Sequence, residues 1–161
     1  MVRGVLFGVI CAALTQGVVA PARPNLSGVW TLTALRPEPK VAAGGVAALP
    51  PSDLTIEHSA DAIAIARTAF DQVTTQRFAL NGTESTNRSG AVTRVTRSRW
   101  DGARLVIEGR MSQVTSQGYA AWTVREILSL DARGRLVIES EYVASDGVRT
   151  TSTREYTKKK P

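Results

Sequence analysis

The chain has 161 residues, the size of one domain, and its single histidine excludes a multi-histidine metal centre. Its 20 Lys and Arg against 14 Asp and Glu give a net charge of +6. Outside the tail Lys158-Lys159-Lys160 that excess is dispersed, whereas nucleic-acid proteins cluster it on one face or motif, so no nucleic-acid partner is expected.

The chain begins Met1-Val2-Arg3, continues through an apolar run over 4–14, and passes into small residues over 15–22. A short cationic start, an apolar stretch and a small-x-small site describe a secretory signal peptide. Ala20 and Ala22 satisfy the rule, and Val18 with Ala20 offers a second site that would leave Pro21 first, so residues 1–22 are expected to be removed. The run is short of the ~20 residues that span a bilayer, and no other stretch reaches that length, so no membrane span is expected. Ile10 before Cys11 does not suit a lipoprotein signal. Cys11 is the only cysteine, so an exported 23–161 domain must be held by its core without disulfides. The expected location is the periplasm or outside the cell, and a monomer is expected.

From Gly28 onward apolar residues alternate with polar ones, and turn residues recur at short intervals, which predicts an all-β fold. The early strands fall over 29–35, 54–58, 62–68, 74–80 and 92–100, with the segment 36–52, rich in Pro, Gly and Ala, as a loop carrying a helical turn near Val46-Ala47-Ala48. Asp101-Gly102 supplies the positive φ of a tight hairpin, and Asp131-Ala132-Arg133-Gly134 and Ser145-Asp146-Gly147 repeat that chemistry. Between these turns lie a strand starting at Leu105, a long strand over 119–130, a strand starting at Leu136 and a last strand over 148–157. Nine strands joined by short turns predict an antiparallel up-and-down meander closed into an eight- to ten-stranded barrel, because closure removes exposed edges.

The strand phases sort the interior. Trp30, Leu32 and Ala34 point inward from the first strand, and Leu105, Ile107 and Met111 from a later one. The phase of Val92 and Trp100 carries Arg94, Thr96 and Ser98 inward, that of Val148 carries Thr150, Ser152, Arg154 and Tyr156, and the long strand carries Glu126 among apolar residues. Charges inside a barrel are costly unless paired or bound. Either Glu126 neutralises Arg94 or Arg154 within a packed core, or the arginines await an anionic ligand, for which a guanidinium is suited. No serine nucleophile turn, phosphate loop or acid–base pair is visible, which argues against an enzyme, and no cofactor is assigned.

Gly28-Val29-Trp30 resembles the Gly-x-Trp of the first strand in lipocalins and fatty-acid-binding proteins, the calycin superfamily, and Thr153-Arg154-Glu155-Tyr156 is similar to the Arg-x-Tyr near the C-terminus of fatty-acid-binding proteins. The resemblance implies that Arg154 and Tyr156 grip a lipid carboxylate, with Arg94 by position as the second arginine. In lipocalins an arginine late in the barrel packs over the first-strand tryptophan, which implies an alternative role for Arg154 over Trp30. The chain departs from both groups: 36–52 is a poor helical lid, and neither a disulfide nor a C-terminal helix is apparent. The expected function is binding a small, largely apolar ligand that can bear a carboxylate, with Arg154, Tyr156, Arg94, Trp30 and Glu126 as the binding residues. Two other readings stay open: a secreted interaction protein or inhibitor with a filled core acting through its loops, and a haem-binding barrel using His58.

Overall fold

The computed structural model describes residues 22–37, 53–69, 72–116 and 118–160, so all but the last residue of the expected signal segment 1–22 and most of the loop over 36–52, with its expected helical turn, lie outside the described residues. Ten strands run in chain order: β1 (Gly28–Arg36), β2 (Asp53–His58), β3 (Ala62–Ala69), β4 (Gln72–Ala79), β5 (Glu84–Ser89), β6 (Val92–Asp101), β7 (Arg104–Thr115), β8 (Gly118–Leu130), β9 (Leu136–Ala144) and β10 (Arg149–Lys158). They form one antiparallel sheet in the order β4-β3-β2-β1-β10-β9-β8-β7-β6-β5. Every neighbour is sequential except β1 beside β10, so the chain is a meander rolled into a nearly closed barrel.

The remaining seam, between β4 and β5, is bridged by side chains that imitate a ladder. Asn87 Oδ1 accepts from the Arg77 N–H at 2.7 Å, its Nδ2 donates to the Arg77 carbonyl at 3.0 Å, and Ser85 Oγ accepts from the Ala79 N–H at 2.9 Å. These bonds cover strand-edge groups that would otherwise be open. The strand that sequence reasoning missed is β5, and its segment Glu-Ser-Thr-Asn-Arg-Ser explains why: no apolar residue marks its inward face.

At the predicted Asp-Gly hairpin Asp101 pairs with Arg104, and Gly102 has φ +58°. Gly109 on β7 is required for packing instead. A Cβ there would strike the Val95 carbonyl and Thr96 Cα, so its absence lets β7 lie close against β6. The dispersed cations stand mostly on the outer face as cross-strand pairs: Arg99 and Arg125 flank Glu108 at 3.6 and 3.8 Å, and Arg104 meets Glu139 at 3.1 Å.

Inside, the barrel is layered. Leu26, Trp30, Ile56, Ile63, Phe78, Leu105, Leu128 and Leu136 fill the half nearest the β2–β3, β6–β7 and β8–β9 turns. Leu26 seals that end: its N–H donates to His58 Nδ1 at 3.3 Å, and its carbonyl accepts from Trp30 Nε1 at 3.0 Å. Along the strands away from these turns the inward positions become polar. On β3, Ile63 and Ile65 give way to Arg67; on β4, Phe78 to Gln76; on β8, Leu128 to Glu126; on β9, Ile138 to Ser140 and Tyr142.

One predicted phase fails. A bulge between Leu32 and Ala34 sets Ala34 opposite Glu155 and Leu35 opposite Arg154. Past the extra residue, Thr33, the inward position therefore passes from Ala34 to Leu35.

Candidate functional site

The ionic layer surrounds a cavity of about 240 Å³ lined by Arg67, Thr74, Gln76, Arg94, Met111, Glu126, Tyr142, Arg154 and Tyr156. Seven strands contribute, and in each case the residue follows from strand phase: Arg67 continues the face of Ile63 and Ile65, and Arg154 stands two positions from Tyr156.

Glu126 is the hub. It is 1% exposed, yet both oxygens are engaged. Oε2 accepts from Arg94 Nη2 at 2.7 Å and lies 3.7 Å from Arg67 Nη2. Oε1 accepts from the Tyr142 hydroxyl at 3.2 Å and from Ser140 Oγ at 3.4 Å. Gln76 Oε1 accepts from Arg67 Nη1 at 3.0 Å and from Arg94 Nη1 at 3.2 Å, tying the two guanidiniums together, and Arg94 also lies 5.3 Å over the Phe78 ring. Burial pushes the Glu126 carboxyl up, but the charges of Arg94, Arg67 and Arg154 together with the Arg94 hydrogen bond outweigh it and hold its pKa at about 2. Burial and the Glu126 charge push the Tyr142 phenol up to about 12, and burial likewise raises Tyr156, so both tyrosines are neutral hydrogen-bonding groups.

Arg154 differs from the other two arginines. Among the described residues it has no carboxylate within ion-pair distance, and its Nε, like Arg94 Nε and Arg67 Nη2, is buried without a hydrogen-bond partner. Arg154 lines the cavity, and a guanidinium there without a carboxylate partner is suited to an anion.

Of the five residues singled out from sequence, Arg154, Tyr156, Arg94 and Glu126 meet at this cavity. Trp30 does not line it. It is 1% exposed in the apolar core, and the cation over its ring is Lys158, with Nζ 5.5 Å from the centroid, rather than Arg154. Register explains this: Trp30 pairs with Lys158, whereas Arg154 pairs with Leu35 and Ile138. Arg67, Gln76 and Tyr142 were not singled out, although the faces of Ile63, Phe78 and Ile138 carry them inward.

His58 sits at the sealed end, its ring centroid 5.7 Å from that of Trp100, and it does not line the cavity. Burial lowers its pKa, consistent with a neutral ring whose Nδ1 accepts from Leu26. A larger hollow of about 530 Å³ lies on the outer face of β6 to β9 among Val95, Arg110, Tyr119, Ala121 and Val143. It holds no buried ionisable group, so the chemistry is concentrated inside.

No protein-family model matches the sequence, and no curated protein matches it. Solved structures do. The chain is similar to apo lipid binding protein 8 of Caenorhabditis elegans, with 13% identity, a TM-score of 0.56, and coverage of 83% of this chain and 94% of that one. It is also similar to the REP1-NXSQ fatty acid transporter, with 17% identity, a TM-score of 0.57, and coverage of 84% and 97%, and to a tyrosine-to-phenylalanine variant of that transporter with 16% identity and a TM-score of 0.55. The shared feature is the fold, a nearly closed antiparallel β-barrel, as the Gly-x-Trp and Arg-x-Tyr resemblance implied.

Proposed function

We propose that this barrel binds a small, largely apolar ligand whose anionic end sits inside against Arg154, and that it does so after export, in the periplasm or outside the cell. The observation that carries the reading is that Arg154 lines the cavity with no carboxylate within ion-pair distance among the described residues, while Arg94 and Arg67 already share Glu126 and Gln76. The structural neighbours are described as a lipid binding protein and a fatty acid transporter, which supports a lipid-like ligand. Export is supported by the signal-like segment over 1–22.

The cavity is smaller than the ~300–1,000 Å³ of drug-sized ligand sites. It fits a head group and a short chain, and the packed core beneath blocks extension toward Trp30.

Arg154→Gln tests the reading. Displacement of a fluorescent fatty acid should weaken by ~1.5–3 kcal/mol, the scale of a charged hydrogen bond. The melting point of the free protein should stay or rise, because an unpaired buried charge is relieved. Unchanged displacement with a clearly lower melting point would make Arg154 a structural residue. That result would favour the interaction-protein reading, for which Tyr119 at 72% exposed beside the outer hollow is the supporting observation.

A further inference from the structure

The ionic layer is unbalanced. The charged groups lining the cavity are Glu126, Arg94, Arg67 and Arg154. Three guanidiniums thus face one carboxylate, and both tyrosines are neutral. The layer holds two positive charges in excess, in a space where uncompensated charge is costly. A monocarboxylate would bring one negative charge and two oxygens, leaving one guanidinium unmatched.

Arg154 Nε, Arg94 Nε and Arg67 Nη2 are buried without a hydrogen-bond acceptor, on β10, β6 and β3. Arg67 and Arg94 are joined through Gln76, and with Arg154 they line one cavity, so the three guanidiniums form one cluster. A phosphate monoester supplies three acceptor oxygens and close to two negative charges at neutral pH, and guanidinium forks match its geometry.

Resting on the proposed binding function, we infer that the chamber selects a dianionic head group, a phosphate monoester on a short apolar chain, over a carboxylate or sulfate of equal length. Glu126 is the internal counter-ion that keeps the empty chamber folded, and the ligand supplies the remaining charge.

Calorimetric titration of the full-length protein with octyl phosphate, octanoate, octyl sulfate and inorganic phosphate at pH 7.5 tests this. Octyl phosphate should bind at least about tenfold more tightly than octanoate or octyl sulfate, a difference of one charged hydrogen bond or more. At pH 5 its affinity should fall by about tenfold, because the second phosphate ionisation lies near 6, while octyl sulfate is unchanged. Glu126 stays ionised across that range, so the loss tracks the ligand. Arg67→Gln should remove most of the preference for phosphate over octanoate. Inorganic phosphate matching octyl phosphate would make free phosphate the ligand, and much weaker binding would make it a lipid-type monoester; both outcomes support the dianion. Equal affinities for the three octyl compounds, with no pH effect, would overturn the dianion inference and leave the anion-binding function standing. Binding by none of the probes would overturn both.

Discussion

Glu126→Ala should destabilise the protein by about 3–5 kcal/mol, the cost of stranding the partners of a buried charge. The change leaves Arg94, 4% exposed, without its carboxylate, deprives Arg67 of its nearest counter-charge, and removes the acceptor of Tyr142 and Ser140. With an m-value of about 1–3 kcal/mol/M, the urea midpoint should fall by about 2 M. Because the folded carboxyl titrates at about 2 against a usual value near 4.5, its contribution is complete above pH 4.5 and is lost as pH falls toward 2. The wild type should therefore lose stability between pH 4.5 and 2, and the variant should lack that part of the slope. A variant with an unchanged midpoint and unchanged acid slope would show that the arginines do not depend on Glu126.

Trp30→Ala should cost a similar amount, about 3–5 kcal/mol, through a different mechanism. The indole fills the core beside Leu26, satisfies the Leu26 carbonyl through Nε1, and carries Lys158 over its face. Alanine leaves a cavity and an orphaned carbonyl and loosens the segment that seals the barrel end. Trp30→Phe should recover most of the packing and leave the hydrogen bond as the main loss, about 1–3 kcal/mol. Affinity for an anionic amphiphile should change little in the phenylalanine variant, since Trp30 lies outside the cavity lining. A large loss of affinity at unchanged stability would return Trp30 to the binding site.

These two residues illustrate how far sequence reading reaches. Two-residue periodicity, which depends only on local pleat, places Trp30, Glu126, Arg94 and Arg154 inward. Whether two inward residues meet depends on register across strands far apart in the chain, and no local pattern encodes that. Hence the sequence leaves Arg154 over Trp30 as an alternative, whereas register gives that place to Lys158. The bulge at Thr33 inverted the phase of Ala34 for a related reason, because one extra residue leaves no compositional trace. Strand β5 escaped because its sequence is polar on both faces and is held by Asn87 and Ser85 side chains. Arg67 was legible in phase with Ile63 and Ile65. A lone arginine closing an apolar strand reads as a rim residue until Gln76 and Glu126 are seen beside it.

The central claim, that an anionic head group is held inside the barrel at Arg154, is tested most directly by nuclear magnetic resonance of octanoate labelled with carbon-13 at its carboxyl. Bound to the wild type, the carboxyl should stay ionised well below the usual carboxylic-acid range of about 4–5, because the guanidinium favours the charged form. The ligand should show Overhauser contacts to the rings of Tyr142 and Tyr156, and both signatures should vanish in Arg154→Gln. A bound carboxyl that titrates like the free acid, with contacts to Tyr119 and Val143 on the outer face, would contradict the account.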